Sequence, residues 1–248
     1  MAGEVWIIGA SKGLGLAMAE LFQRQGRAVV GLARRPPQDQ RAFAAFVRLD
    51  AASGDAVDDT IRALYAERAP PDLIIYCAAV IYQGPIVDQP EQALRAEIDA
   101  NYLGFVRVCQ AVALFKPPGP VRIVATGSTL GYVGCPSLDN YSASKAALIS
   151  FARSARRELA AHGMAIQILS PPHMDNEGAD LVGPRQFSLA WSAERLVRAA
   201  ETGRSEHLLG ASNRLVLLLA RIAPAFTQRI MDSIGVDALK RGARRMPA

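Results

Sequence analysis

Short, continuously apolar runs alternate along this chain with longer segments whose apolar residues recur every three or four positions. VWII at 5–8 is followed by a glycine-rich turn and then by Leu14, Met18, Leu21 and Phe22 at helical spacing. RAVVGLA at 27–33 and FVRLD at 46–50 read as the next strands. Val57, Ile61, Leu64 and Tyr65 then mark a helix that Pro70 and Pro71 stop. The same alternation returns in DLIIYC at 72–77, a helix over 90–114, a KPPGP linker, VRIVAT at 121–126, a helix over 141–162 and AIQILS at 165–170. A helix over 192–202, with Ser192 as its N-cap, and a short strand HLLG close the series.

Strands that are apolar throughout are buried on both faces, and strands alternating with helices require a parallel sheet with right-handed crossovers. The pattern therefore predicts one doubly wound α/β domain of Rossmann type, a central parallel sheet flanked by helices, over residues 1–210. Residues 211–248 form an apolar and basic C-terminal helical extension. The 248 residues, 50% hydrophobic and 21% charged, suffice for one substantial core.

Charge is uneven along the chain. Residues 204–248 carry eight basic against three acidic side chains, which accounts for the whole net charge of +5. Within them LVLLLA at 215–220 is bracketed by Arg214 and Arg221. That run is too short to span a bilayer but suited to lying on one. Two readings stand: a helix packed over a pocket or a subunit, or a weak peripheral contact with anionic lipid or an acidic carrier protein.

Cys77, Cys109 and Cys135 lack CxxC spacing, and His162, His173 and His207 are scattered, so neither a disulfide framework nor a metal site is expected. A reduced cytoplasmic setting is expected, with no signal peptide and no membrane span. No nucleic-acid recognition motif is present, and nucleic acid is not an expected partner.

Two stretches carry chemistry. In GASKGLG, at 9–15, the order strand, glycine-rich turn, helix fits a dinucleotide, because glycines let the backbone approach a pyrophosphate and the helix N-terminus offers it unpaired N–H groups. Gly9, Ser11, Lys12, Gly13, Leu14 and Gly15 are the candidate contacts. Past the second strand an acid would bind the ribose hydroxyls of NAD, but Ala33 is neutral and Arg34 cationic. With Lys12 this predicts NADP(H).

In STLGYVGCPSLDNYSASK, at 128–145, Tyr141 and Lys145 lie four positions apart and share a helix face, with Ser128 just past an apolar strand. Bringing a phenol from a pKa near 10 towards 7 needs roughly 4 kcal/mol. An ammonium about 4 Å away at an effective dielectric near 20 supplies about that much. A phenol so tuned exchanges a proton with a carbonyl or alcohol oxygen.

GASKGLG, Asn101, Ser128 and YSASK, in this order and spacing, resemble the short-chain dehydrogenase/reductase family over about residues 4–176. The resemblance implies a catalytic tetrad of Asn101, Ser128, Tyr141 and Lys145, with Asn101 bending its helix and supporting the lysine through water. It also implies cofactor contacts from Asp50 beside the adenine, Ala78, Tyr141, Lys145, Pro171 and Asn176. The implied activity is an NADP(H)-dependent oxidoreductase interconverting a carbonyl and an alcohol, acting on an apolar-bodied substrate beneath a covering loop at 177–191. Homo-oligomers are common in the family. The small residues Ala143, Ala146, Ala147 and Ala152 fit either a subunit contact or a face buried within the chain.

Two departures stand out. Tyr76, Cys77, Ala78 and Ala79 replace the family's Asn-Asn-Ala-Gly, which predicts a loss of the amides that tie neighbouring strands. Pro172 replaces a glycine near the nicotinamide face, removing an N–H. They motivate an alternative reading, a catalytically impaired dinucleotide-binding sensor or scaffold.

Overall fold

The structure is a computed structural model that describes residues 3–174 and 187–243. Seven parallel strands form one sheet: β1 (Glu4–Ile8), β2 (Val29–Ala33), β3 (Ala45–Arg48), β4 (Pro71–Tyr76), β5 (Val121–Thr126), β6 (Met164–Ser170) and β7 (Glu206–Leu208). Their spatial order is β3-β2-β1-β4-β5-β6-β7. The chain winds outward from β1 to β3, then returns to pair β4 with the other edge of β1. The strand order thus reverses between β1 and β4, and the crevice beyond the carboxyl ends at such a point is where open α/β sheets bind ligands.

The helices are α1 (Gly13–Arg24), α2 (Gly54–Glu67), α3 (Glu91–Ile98), α4 (Gly104–Phe115), α5 (Asp139–Ala160), α6 (Leu189–Glu201), α7 (Ala211–Ile222) and α8 (Pro224–Ala243). The period of two along β1 divides the core. Trp6 and Ile8 join the cluster beneath α2, α4 and α5, whereas Val5 and Ile7 join the one beneath α1 and α6.

The expected architecture is present, with local differences. The third strand ends at Arg48, because the Asp50 carboxylate accepts from Ala52 N at 3.0 Å and starts the turn into α2. Helix α6 is capped by Ser188, whose hydroxyl accepts from Trp191 N at 3.2 Å; the predicted cap Ser192 is buried one turn inside. The predicted helix over 90–114 carries a π-helical turn, Asp99–Leu103, with Asn101 at its middle. The tight approach of Gly104 to Tyr76 and to the Ala51 carbonyl fixes the helix at that turn. Of the small residues on α5, Ala152 is fully buried, as the reading of a face buried within the chain expects, while Ala143 and Ala146 are exposed.

Candidate active site

The turn after β1 is shaped by its glycines. Gly9 has φ +89° and Gly13 has φ +56°, the left-handed region that glycine occupies freely. A side chain at Gly9 would meet Ala78 N at 2.5 Å, and one at Gly15 would overlap the Gly9 carbonyl oxygen. Helix α1 therefore starts close against the sheet, directly at the reversal of strand order.

Its N-cap, Lys12, makes no side-chain cap, and its first turn holds no acid, so the turn's N–H groups are left for an anion. Lys12 and Arg34 are both exposed, Arg34 immediately beyond the end of β2. Ser11 is half-buried and Leu14 buried in the same turn. This arrangement fits a dinucleotide with an additional phosphate. Asp50 is exposed beyond β3 but has one carboxylate oxygen engaged in its own turn. Pro171 and Pro172 are buried at the end of β6, while Asn176 and most of the predicted covering loop lie outside the described residues.

Ser128, Tyr141 and Lys145 converge beyond β5. Ser128 follows the strand by two residues and accepts from Leu130 N at 3.2 Å, which sets its hydroxyl at the head of a short 3-10 turn. Tyr141 stands in the first turn of α5 and Lys145 one turn further, its Nζ 5.9 Å from the phenol ring centroid. Burial pushes the Tyr141 phenol up to about 12; a hydrogen bond with the Ser128 side chain pulls it down, and the Glu97 charge pushes it up. Lys145 is held down at about 8 by burial. It donates to the Thr126 carbonyl at 2.9 Å. Desolvation is the largest influence on the phenol, and its direction is opposite to the lowering expected from the lysine.

Asn101 is completely buried. Its amide donates to Val80 O (2.8 Å) and Ser144 Oγ (2.9 Å), and its carbonyl accepts from Val80 N (2.7 Å). Ser144 in turn donates to Tyr141 O at 2.7 Å. Its side chain thus ties the β4–α3 loop to the helix turn that carries the phenol.

Sequence reasoning missed Glu97, also fully buried, which accepts from Tyr82 N and from Asn140 Nδ2, both at 2.7 Å. A charged residue inside an otherwise helical pattern gives no sign that it points inward. It also missed Ser144 and the Thr126 carbonyl, although the spacing of Ser144 three residues after Tyr141 placed it on the same face.

The expected loss of strand ties at Tyr76-Cys77 is corrected by the structure. The Tyr76 hydroxyl donates to Ala100 O at 2.5 Å, and Cys77 Sγ lies 3.1 Å from Thr126 Oγ1. A phenol and a thiol bridge β4 to the π-turn and to β5 in place of two amides.

Beside the site, a cavity of about 520 Å³ is walled by Leu130, Tyr132, Asp139 and Ser142 and, from α8, by Gln228 and Asp232. Tyr132 is fixed there by donating to Glu206 Oε1 at 2.7 Å. Phe187, within the segment predicted to cover the substrate, stacks on Trp191 at 4.7 Å and pairs with Met174 as an isolated bridge.

A reversed strand order, an uncapped glycine-bounded helix start and a Ser-Tyr-Lys cluster beyond β5, its serine and tyrosine half-buried and its lysine buried, define an oxidoreductase of the dinucleotide-binding class. The family model for short chain dehydrogenase matches residues 4–184, and the chain belongs to that family. Among curated relatives, the 3-oxoacyl-acyl-carrier-protein reductase of Mycobacterium avium is 29% identical over 175 residues, covering 70% of this chain and 68% of that protein. The corresponding reductase of Escherichia coli (strain K12) is 26% identical over 179 residues, covering 69% and 73%. The fold is shared with a short chain dehydrogenase of Burkholderia cenocepacia J2315 solved in complex with NADP (TM-score 0.78, 23% identity, 93% of this chain and 98% of that one). It is shared equally with one from Sphingobium yanoikuyae in complex with NADPH (TM-score 0.75, 23% identity, 91% and 95%).

Proposed function

We propose that this protein is an NADP(H)-dependent oxidoreductase that interconverts a carbonyl and an alcohol, with Tyr141 as the general acid in reduction. The carrying observation is the convergence of the Ser128 hydroxyl, the Tyr141 phenol and the Lys145 ammonium beyond β5, beside the glycine turn. When bound, the cofactor supplies or accepts the hydride. Lys12 and Arg34 hold its extra phosphate, and the N–H groups of α1 its pyrophosphate. Ser128 hydrogen-bonds the substrate oxygen, and Tyr141 delivers the proton to it. A phenol kept protonated by burial suits that direction. Lys145, two per cent exposed, gains an anionic partner when the ribose and phosphates arrive, which favours its charged form.

Asn101, through Ser144, keeps Tyr141 in position. Residues 1–210 serve as the catalytic domain and 211–248 as its extension; Asp50, Ala78, Pro171 and Asn176 are the remaining cofactor contacts, and exposed Ala143 and Ala146 offer a face for a homo-oligomer. The replaced strand ties at Tyr76 and Cys77 remove a main motive for an impaired sensor.

The named relatives make a 3-oxoacyl thioester the first substrate to try. In a fluorescence titration NADPH is expected to bind at least tenfold more tightly than NADH, since two charge-assisted contacts contribute about 1.5–3 kcal/mol each. NADPH consumption with an acetoacetyl thioester tests turnover. Equal affinity for the two cofactors would overturn the cofactor reading, and absence of turnover across thioesters, ketones and alcohols would overturn the catalytic one.

A further inference from the structure

Helix α7 rests on the protein by one side: Asn213, Val216, Leu217, Leu219 and Ala220 are half-buried, and none of its residues is fully buried. A 12-residue helix held this lightly is marginal in water, and its outer apolar side is left for something to cover. Helix α8 explains how the pair is attached. Thr227, Met231 and Gly235, at intervals of four, are buried, and Gly235 packs directly on Pro136. The opposite side presents Leu215 (55% exposed), Leu218 (53%), Ile222 (69%), Phe226 (56%) and Ile230 (40%). Leu215, Leu218 and Ile222, three and four apart, form an apolar stripe on α7, and Phe226 and Ile230 stand four apart on α8 past the helix break at Ala223.

The charge beside this stripe selects its occupant. Arg214, Arg221 and Arg229 are exposed along it, and α7 contains no acid. Asp232, the acid among residues 211–236, faces the cavity and accepts from Gln228 at 2.8 Å. A second copy of the chain seated across a two-fold axis would set these arginines against their own images with no acid to pair them. An anionic lipid surface satisfies both halves of the pattern, because it takes aliphatic and phenyl side chains into the acyl boundary and meets the guanidinium groups with phosphates.

We infer that α7 and the first turns of α8 form a surface that lies on an anionic bilayer, with Leu215, Leu218, Ile222 and Phe226 entering it and Arg214, Arg221 and Arg229 on the headgroups. No helix among the described residues is long and apolar enough to cross a membrane, so the contact is peripheral. It places α8, one wall of the cavity beside Tyr141, at the interface where apolar molecules collect.

The test is co-sedimentation of the full chain with vesicles of phosphatidylcholine alone and of phosphatidylcholine mixed with phosphatidylglycerol, at low and high salt. Light scattering in solution runs alongside. Binding to the anionic vesicles at least tenfold above the neutral ones is expected, weakening with salt. The triple substitution Arg214→Gln, Arg221→Gln, Arg229→Gln should weaken it by about fivefold for each arginine. Leu215→Ser with Leu218→Ser should abolish it. All five side chains are exposed, and unchanged circular dichroism confirms the fold; if the serine variant melts early, the arginine variant decides. Absence of anionic binding at low salt overturns the inference, as does equal binding to both vesicles. It is overturned equally if capture by an acidic acyl carrier protein occurs without vesicle binding, or if a dimer in solution is dissociated by the leucine substitutions.

Discussion

Replacing Lys145 with methionine should change how stability depends on pH as well as catalysis. The lysine is 2% exposed and its Nζ donates to Thr126 O at 2.9 Å. Burial takes its pKa from the ordinary 10.5 down to about 8. Between those values the unfolded chain still holds the proton that the folded chain has released. The unfolded state therefore binds more protons, and stability rises with pH across the window from about 8 to 10.5. That difference corresponds to about 3 kcal/mol. Methionine fills a similar volume without a charge; the Thr126 carbonyl it leaves unpaired costs about 1–3 kcal/mol at every pH. Tyr141, raised to about 12, acts in the opposite sense above pH 10, but it is present in both proteins and cancels in their difference. Urea unfolding of the two proteins from pH 7 to 10.5, without cofactor, measures that difference. The wild type should gain about 3 kcal/mol on the variant over this range. Parallel stability curves would refute the reasoning, since the lysine would then be hydrated in the folded state.

Further expectations follow from single contacts. Gly15→Ala places a methyl on the Gly9 carbonyl oxygen; a loss of at least about 2 kcal/mol in thermal or urea unfolding is expected, with NADPH binding lost. Glu97→Gln removes the charge that raises the Tyr141 phenol while keeping an acceptor for Tyr82 N. Reduction needs the protonated phenol, so the alkaline limb of its pH–rate profile should move to lower pH, and an unmoved or upward-shifted limb would refute this.

The pattern of apolar runs was enough to read the parallel sheet, because strands such as VVGLA and VRIVAT are apolar at nearly every position and leave a parallel, doubly covered sheet as the one economical arrangement. Gly9, Gly13, Ser128, Tyr141 and Lys145 were legible for a related reason: each stands at the end of a strand or in the first turns of a helix, where spacing in sequence fixes placement in space. What lay hidden depends on contacts distant along the chain. Glu97 reads as an ordinary helix carboxylate until Tyr82 and Asn140 are seen around it. Tyr76 and Cys77 read as lost ties, since nothing in sequence reports that the Ala100 carbonyl and the Thr126 hydroxyl lie within reach. The cap of α6 moved from Ser192 to Ser188 because two serines four apart present the same local signal, and burial of Ser192 decides between them.

The central claim is that the phenol of Tyr141 moves the proton. Its most direct test is Tyr141→Phe, assayed for NADPH affinity by fluorescence and for turnover on whichever carbonyl substrate the wild type reduces. NADPH affinity within about twofold of the wild type is expected, together with a fall in kcat of at least a hundredfold, the range a positioned acid contributes. A phenylalanine variant that binds NADPH and keeps wild-type kcat would contradict the account.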